Sequence, residues 1–201
     1  MIASALTILV AYLIGSLSFA VIFSKAFGMA DPRSYGSGNP GATNVLRSGR
    51  KAVAALTLLG DALKGVAAVL LAKWATARYG LPDFVPALAG FSVLLGHIWP
   101  VFFGFQGGKG VATALGLLLA LNLWLGLACA ATWLVVFLVT RVSSLSALVA
   151  AGTAPVYAWF IDGNAVATGA ILGLAALLFW RHKANIARLL SGEEAAFKKR
   201  T

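Results

Sequence analysis

Long apolar runs are the feature of this chain that most limits how it can fold. Several runs of roughly 20 residues contain few charged side chains, and that is the length an α-helix needs to cross a lipid bilayer. Only 11% of the residues are charged, against about 25% in an ordinary soluble domain. The sequence therefore predicts an all-α integral membrane protein, with residues 1–201 forming a single membrane-embedded domain.

Hydropathy and charge together predict seven transmembrane helices. The expected spans are 2–24, 52–76, 82–103, two short spans within about 111–140, then 144–161 and 165–180. A single helix over 111–140 would be about 45 Å long, which exceeds a bilayer core. Two short spans turning near Asn122 place thirteen Lys and Arg residues on one side. The positive-inside rule then puts the N-terminus outside and the C-terminus in the cytoplasm.

The net charge of +10 arises mainly from short segments that flank apolar runs. This pattern indicates contact with anionic lipid head groups and does not suggest nucleic acid as a partner. Asp61 and Lys64 are exceptions, because they lie inside an expected span. They are interpreted as a neutralised pair with a structural role, and a part in chemistry stays open.

Residues 35–41, the first glycine loop, form a polar island in this apolar chain. Three glycines stand among small polar side chains, which favours backbone N–H groups that wrap around a compact anion. Asn39 and Pro40 predict a helix start, with Asn39 as the cap and Pro40 at the first helical position. Such a helix would direct its positive end at a bound phosphate, and Arg47 would add a fixed charge.

Residues 104–110, the second glycine loop, predict another anion site. Gly107 and Gly108 open the backbone beside Lys109, directly before an expected helix, and His97 precedes the loop. The spacing is not that of a Walker A loop, because Gly110 follows the lysine.

Two further polar groups fall on the same expected side of the membrane. Ser144 stands at a helix boundary after Arg141. His182, Asn185 and Arg188 are three residues apart and share one helical face. Taken alone, this last group also fits a solvated basic tail. Several phosphate-binding groups beside a helical bundle indicate an enzyme or binding protein for lipid phosphates.

Three strings in the chain resemble the signature motifs of the bacterial acyl-phosphate:glycerol-3-phosphate acyltransferase family. They are Gly-Ser-Gly-Asn-Pro-Gly-Ala-Thr-Asn-Val-Leu-Arg, Gly-His-Ile-Trp-Pro-Val-Phe with Gly-Gly-Lys-Gly-Val-Ala-Thr, and Arg-His-x-x-Asn-Ile-x-Arg-Leu-Leu-x-Gly-x-Glu ending at Glu194. The resemblance covers essentially the whole chain in order. Trp99 and Gln106 stand where the family more often has Phe and Lys, and Gln106 reduces the positive charge of the second glycine loop.

The resemblance implies an inner-membrane enzyme of bacteria with its active site facing the cytoplasm. It would transfer a fatty acyl group from acyl phosphate to the 1-hydroxyl of glycerol 3-phosphate, giving lysophosphatidic acid and inorganic phosphate as the first step of phospholipid synthesis. No cofactor and no metal are expected, and the protein is expected to be a monomer. The expected catalytic residues are Ser37, Asn39, Lys109, His182 and Asn185. The expected substrate-binding residues are Gly36, Gly38, Gly41, Thr43, Asn44, Arg47, His97, Gly107, Gly108, Gly110, Ser144 and Arg188.

The residues favour direct acyl transfer without an acyl-enzyme. The His-x4-Asp pair that other acyltransferases use is absent, because Phe102 follows His97 and Ala187 follows His182 at that spacing. Acyl phosphate already has a good leaving group, so positioning and charge stabilisation would supply most of the acceleration. The proton of the attacking hydroxyl would go to the substrate's own phosphate or to His182, and the sequence does not decide between them.

Three other functional classes predict different features. A transporter predicts polar groups distributed through the membrane depth, whereas here they cluster at one face. A metal-dependent phosphotransferase needs several converging carboxylates, and the chain has only 6 acidic residues. A non-catalytic lipid-binding scaffold is distinguished only by whether product forms.

Overall fold

The structure, a computed structural model, describes residues 1–197. Every regular element within that range is helical, as the sequence predicts. The chain forms two compact units, Met1–Leu121 and Asn122–Thr201. They are called here the N-terminal unit and the C-terminal unit.

The N-terminal unit is built around one long helix. It contains α1 (Ile2–Gly15), α2 (Phe19–Ala26), α3 (Ala42–Arg47), α4 (Lys51–Tyr79), α5 (Val85–Ile98), a 3-10 turn (Val101–Phe103) and α6 (Val111–Leu121). The central α4 contacts each of the other five α-helices of the unit. The polar loops that connect α2 to α3 and α5 to α6 therefore belong to the same unit.

Glycines allow the helices of this unit to approach each other closely. A Cβ added at Gly15 of α1 would lie 2.1 Å from the Val93 carbonyl oxygen of α5. One added at Gly116 of α6 would lie 1.9 Å from the Ala62 oxygen of α4. Lipid gives helices no hydrophobic reason to associate, so backbone approach at small residues supplies the packing instead.

The predicted first span is broken in the structure. Helices α1 and α2 meet at a bend of 42°, with residues 16–18 between them. Residues in such a break leave backbone groups without helical partners. The carbonyl oxygen of Leu17 is one of them, and it accepts a hydrogen bond from Lys64 of α4 at 2.7 Å.

The predicted helix start at Asn39 and Pro40 is wrong. Helix α3 begins at Ala42, with Gly41 as its N-cap in an extended conformation at φ −157°. Asn39 is drawn into the loop, where its carbonyl oxygen accepts from the Gly41 amide at 2.9 Å. With only 6 residues, α3 is too short to support the predicted helix-dipole phosphate site.

A helix break is present at Asn122, where the sequence predicts a turn, and it separates α6 from the next helix. Asn122 caps that helix, because its side-chain oxygen accepts from the amides of Trp124 and Leu125 at 3.0 and 3.2 Å. Lys73 of α4 closes the preceding helix by donating to the Leu121 carbonyl at 2.9 Å. A polar cap on each side therefore ends one helix and starts the other.

The C-terminal unit contains α7 (Leu123–Thr140), α8 (Ser143–Asp162), α9 (Ala165–Arg181) and α10 (Lys183–Leu190). Helix α8 packs against α7 and α9, and α10 follows α9 at a bend of 64°. Residues after α10 turn back, since the Phe197 amide donates to the Arg141 carbonyl at 2.9 Å. The described part of the basic C-terminal segment is therefore folded against its own unit. The tail residues 198–201 lie outside the described residues.

Four of the described helices are long and apolar enough to cross a membrane, and the number rises to six if each bent pair counts as one span. Helix α6 has 11 residues and rises only about 16 Å, roughly half of a hydrocarbon core. The several membrane-spanning helices agree with the predicted class. The predicted count of seven and the orientation of the termini stay predictions.

Candidate active site

Asn44 shapes the first glycine loop from within. Its side chain is buried, accepts from the Ser37 amide at 3.0 Å and donates to the carbonyls of Pro32 and Tyr35 at 2.8 and 3.1 Å. Gly36 has a φ of +58°, and a Cβ there would lie 2.3 Å from the Asn44 side-chain oxygen. Asn44 was predicted to bind substrate, and the structure shows that it uses its amide to hold the loop.

The amides of the first glycine loop are largely occupied. The Ser37 amide donates to Asn44, and the Gly38 amide donates to the Tyr35 carbonyl at 3.0 Å. The Gly41 amide donates to Asn39, as described above. The expectation that these amides surround a phosphate therefore finds no support. Ser37 and Gly38 are exposed and Asn39 is partly exposed, so side chains of Ser37 and Asn39 are the loop's polar groups at its surface.

The second glycine loop packs tightly on the end of α5. The Gly108 amide donates to the His97 carbonyl at 3.1 Å. A Cβ added at Gly107 would lie 2.1 Å from that same oxygen, and one added at Gly108 would lie 2.3 Å from Nε2 of the His97 ring. These glycines are required because the loop backbone runs directly against His97. Lys109 follows at once and is partly buried.

The two glycine loops lie beside each other in the N-terminal unit. A Cβ at Gly108 would lie 3.1 Å from the Pro40 carbonyl oxygen of the first loop. Arg33, just before the first loop, donates to the Phe103 carbonyl at 3.0 Å and forms an ion pair with Asp31 at 2.7 Å. The structure thus brings the first two predicted motifs together. Thr43 is partly buried and Arg47 is exposed on α3, next to the first loop.

A buried polar group lies beneath the second loop. Asp61 and Lys64 of α4 form an ion pair at 2.9 Å, as expected from the sequence. Nδ1 of His97 lies 3.6 Å from the Asp61 carboxylate and 3.2 Å from the Thr113 hydroxyl of α6. Sequence reasoning did not connect Asp61 or Thr113 with His97. The one sequence feature that pointed to such a contact was Asp61 itself, an acidic residue inside an apolar span.

Glu194 organises the polar group of the C-terminal unit. The Ser144 hydroxyl donates to its carboxylate at 2.6 Å, the Asn185 amide donates to the same oxygen, and Arg188 Nε donates to the other oxygen at 2.6 Å. Three residues predicted to contact substrate therefore converge on one acid. Glu194 was quoted as the end of the third motif but was not predicted as a site residue. Only the fold places it beside Ser144.

His182 lies where α9 ends and α10 begins, and it is 2% exposed. Its Nδ1 lies 2.8 Å from the Leu178 carbonyl oxygen. Because a carbonyl oxygen can only accept, Nδ1 carries the proton in this contact. In the neutral ring Nε2 is then the basic nitrogen, which suits a proton acceptor.

The contacts of Glu194 should make the stability of the fold depend on pH. Burial alone would raise its pKa, but hydrogen bonds from Ser144, Asn185 and Arg188 outweigh burial and hold the pKa below its ordinary value of 4.5. A lowered carboxyl pKa stabilises the fold fully above that ordinary value, and the stabilisation is lost as the pH falls through the lowered pKa. We expect wild-type protein to unfold at a higher temperature than Glu194→Gln at neutral pH, and the gap to close on acidification below 4.5.

The measurement is the thermal unfolding midpoint of both proteins in the same detergent across this pH range. Glu193→Gln is the matched control, because Glu193 is an exposed neighbour. Among the described residues, its carboxylate accepts a hydrogen bond from the Ser191 hydroxyl only. A gap between wild type and Glu194→Gln that does not change with pH would contradict the prediction.

Comparisons with known proteins agree on one family. A protein-family model described as glycerol-3-phosphate acyltransferase matches residues 5–192. The chain is 59% identical over 196 residues to the glycerol-3-phosphate acyltransferase of Thiobacillus denitrificans, covering 98% of each chain. It is 61% identical over 188 residues to that of Chromobacterium violaceum, covering 93% of this chain and 91% of the relative.

Two solved structures share the fold. One is the crystal structure of PlsY (YgiH), an integral membrane glycerol 3-phosphate acyltransferase, in its glycerol 3-phosphate form. It matches with a TM-score of 0.89 and 37% identity over 97% of this chain and 96% of that chain. The lysophosphatidic acid form of PlsY matches with a TM-score of 0.86 and 38% identity over 97% and 95%.

Proposed function

The chain belongs to the glycerol-3-phosphate acyltransferase family, and from this premise we propose that it transfers a fatty acyl group from acyl phosphate to the 1-hydroxyl of glycerol 3-phosphate. The products are lysophosphatidic acid and inorganic phosphate. The similarity to PlsY in its glycerol 3-phosphate and lysophosphatidic acid forms is the observation that carries acceptor and product. The donor follows from the motifs and from the chemistry of the two loops.

The two glycine loops hold the acyl phosphate in this proposal. Lys109 stands between Gly108, whose backbone packs on His97, and Gly110. It neutralises the departing phosphate. Ser37 and Asn39 bind the phosphate from the first glycine loop. An acyl phosphate suits this set because its leaving group develops charge where a fixed cation already stands.

Glycerol 3-phosphate is held by Ser144, Asn185 and Arg188. Glu194 orients the three polar side chains through the contacts described above. The 1-hydroxyl oxygen attacks the carbonyl carbon, and the bond from that carbon to the phosphate oxygen breaks. The hydroxyl proton goes to Nε2 of His182 or to a substrate phosphate.

No acyl-enzyme is formed on this route. The chain has a single cysteine, Cys129, which is buried in α7 at 5% exposure and is suited to packing. Positioning of the two substrates supplies most of the acceleration. A trapped acyl-Ser or acyl-Cys adduct would overturn this part of the proposal.

We place the protein in the bacterial inner membrane as a monomer of one functional domain. Seven spans with the C-terminus in the cytoplasm would put the motifs on the side where glycerol 3-phosphate is available. The excess of Lys and Arg in the connecting segments supports that orientation.

The donor is tested with purified protein in lipid. Glycerol 3-phosphate is supplied with either palmitoyl phosphate or palmitoyl-CoA, and both lysophosphatidic acid and released phosphate are measured. We expect product with palmitoyl phosphate alone, with one phosphate released for each lysophosphatidic acid formed. Product from palmitoyl-CoA alone would contradict the donor. If folded protein formed no product with either donor, the proposed reaction would be contradicted and the motifs would be assigned a binding role instead.

A further inference from the structure

Asp61 and Lys64 are the starting point, because charged side chains are expensive inside a membrane span. They are 3% and 4% exposed and lie one turn apart on the central helix α4. Their ion pair at 2.9 Å offsets part of that cost. Two charges buried in such a position are explained if each has a task that an apolar side chain could not perform.

Lys64 has such a task within the fold. Its amino group donates to the Leu17 carbonyl at 2.7 Å, at the break between α1 and α2. This contact satisfies a carbonyl that the broken helix leaves without a helical partner. If Asp61 served only to neutralise Lys64, its contacts would end there.

The contacts of Asp61 extend to the ring of His97. Its carboxylate lies 3.6 Å from Nδ1, and the Thr113 hydroxyl lies 3.2 Å from the same nitrogen. Asp61, His97 and Thr113 come from α4, α5 and α6, so three helices meet at one imidazole. A carboxylate beside Nδ1 favours a proton on that nitrogen and so selects one tautomer of the ring.

The opposite edge of the same ring meets the second glycine loop. Nε2 lies against Gly108, where a Cβ would approach it to 2.3 Å, and the His97 carbonyl accepts from the Gly108 amide at 3.1 Å. A rotation of the ring would therefore displace the backbone next to Lys109. The orientation of His97 is therefore coupled by direct packing to the backbone of Gly108, which precedes Lys109.

We propose that Asp61 is a positioning residue for acyl transfer: its carboxylate faces Nδ1 of His97 at 3.6 Å, favours the tautomer that carries a proton there, fixes the orientation of that ring, and thereby holds the second glycine loop beside Lys109 in place. This inference rests on the proposed function, since it assigns Lys109 to the leaving phosphate. With the proton on Nδ1, the Thr113 hydroxyl accepts the hydrogen bond at 3.2 Å, and the Lys64 amino group pairs with Asp61 at 2.9 Å.

Two double variants separate positioning from charge neutralisation. Both D61N/K64M and D61L/K64M remove the two buried charges together. Only the asparagine keeps a polar oxygen at residue 61 to face Nδ1 of His97. We expect the two double variants to unfold at the same temperature within a few degrees. We expect D61N/K64M to keep activity within several-fold of wild type, and D61L/K64M to lose about 10²-fold in kcat with a smaller change in KM, as misplacement of a catalytic group produces.

Equal activities in the two double variants would overturn the proposal and leave Asp61 as a counter-ion. A second measurement needs neither double variant and no activity. The chain has 2 histidines, so ¹⁵N-histidine spectra of wild type and of His182→Gln identify the His97 ring by difference. We expect a proton on Nδ1 of His97, and a ring protonated at Nε2 alone would also overturn the proposal. If wild type formed no product, this spectrum would still test the tautomer that Asp61 is proposed to favour.

Discussion

Replacement of Lys109 by alanine is expected to lower kcat by about 10²–10³-fold, the usual loss when one preorganised electrostatic group is removed. Lys109 is held between Gly108, which packs on His97, and Gly110, whose φ is +88°. The charge it would neutralise grows as the bond to the phosphate breaks, so its contribution is larger in the transition state than in the bound substrate. We therefore expect kcat to fall more than KM for acyl phosphate rises.

Initial rates of phosphate release at varied acyl phosphate measure both constants. Lys109→Arg keeps the positive charge on a planar, bulkier guanidinium group, so it should lose less activity than the alanine variant. Lys25→Ala is the matched control, because Lys25 is an exposed lysine near the end of α2. A Lys109→Ala protein with more than a fifth of wild-type kcat would contradict the assigned role.

Replacement of His182 by alanine is expected to reduce turnover by at least about 10²-fold, since a positioned acid–base group typically contributes 10²–10⁴-fold. The ring is 2% exposed and its Nδ1 donates to the Leu178 carbonyl, which leaves Nε2 as the basic nitrogen. Alanine removes that nitrogen and also the ring's hydrogen bond to the Leu178 carbonyl, which keeps its bond from the His182 backbone amide at 3.0 Å.

His182→Gln separates these two effects, because a glutamine amide can donate to the Leu178 carbonyl but cannot accept a proton at neutral pH. A fall in kcat with an unchanged KM for glycerol 3-phosphate in both variants identifies His182 as the proton acceptor. A fall accompanied by a large rise in KM identifies a binding group and favours the substrate phosphate as acceptor. Activity within fivefold of wild type in both variants would contradict any catalytic role.

The helical plan was readable from the sequence because it follows from local physics. Apolar runs of sufficient length can satisfy their backbone groups in a membrane only as helices, so each predicted span corresponds to one or two observed helices. The end of α6 was also predicted, because Asn122 interrupts an apolar run and has a side chain that caps α7.

Local patterns failed where a distant partner decided the conformation. Asn39 and Pro40 have the composition of a helix start, but helix α3 begins only at Ala42. The first glycine loop is instead held by Asn44, whose amide is bonded to Pro32 and Tyr35. The loop amides predicted to bind phosphate are consequently used within the loop.

The sequence by itself determined the membrane class, the order of the helices and the three motifs that identify the family. Those features depend on residue type and spacing along the chain. The tertiary structure decided which side chains meet: Glu194 with Ser144 50 residues away, and Asp61 with the ring of His97 on another helix. Contacts between residues so far apart depend on how helices pack, and packing is set by close approach at positions such as Gly15 and Gly116. Residue spacing carries no record of that approach.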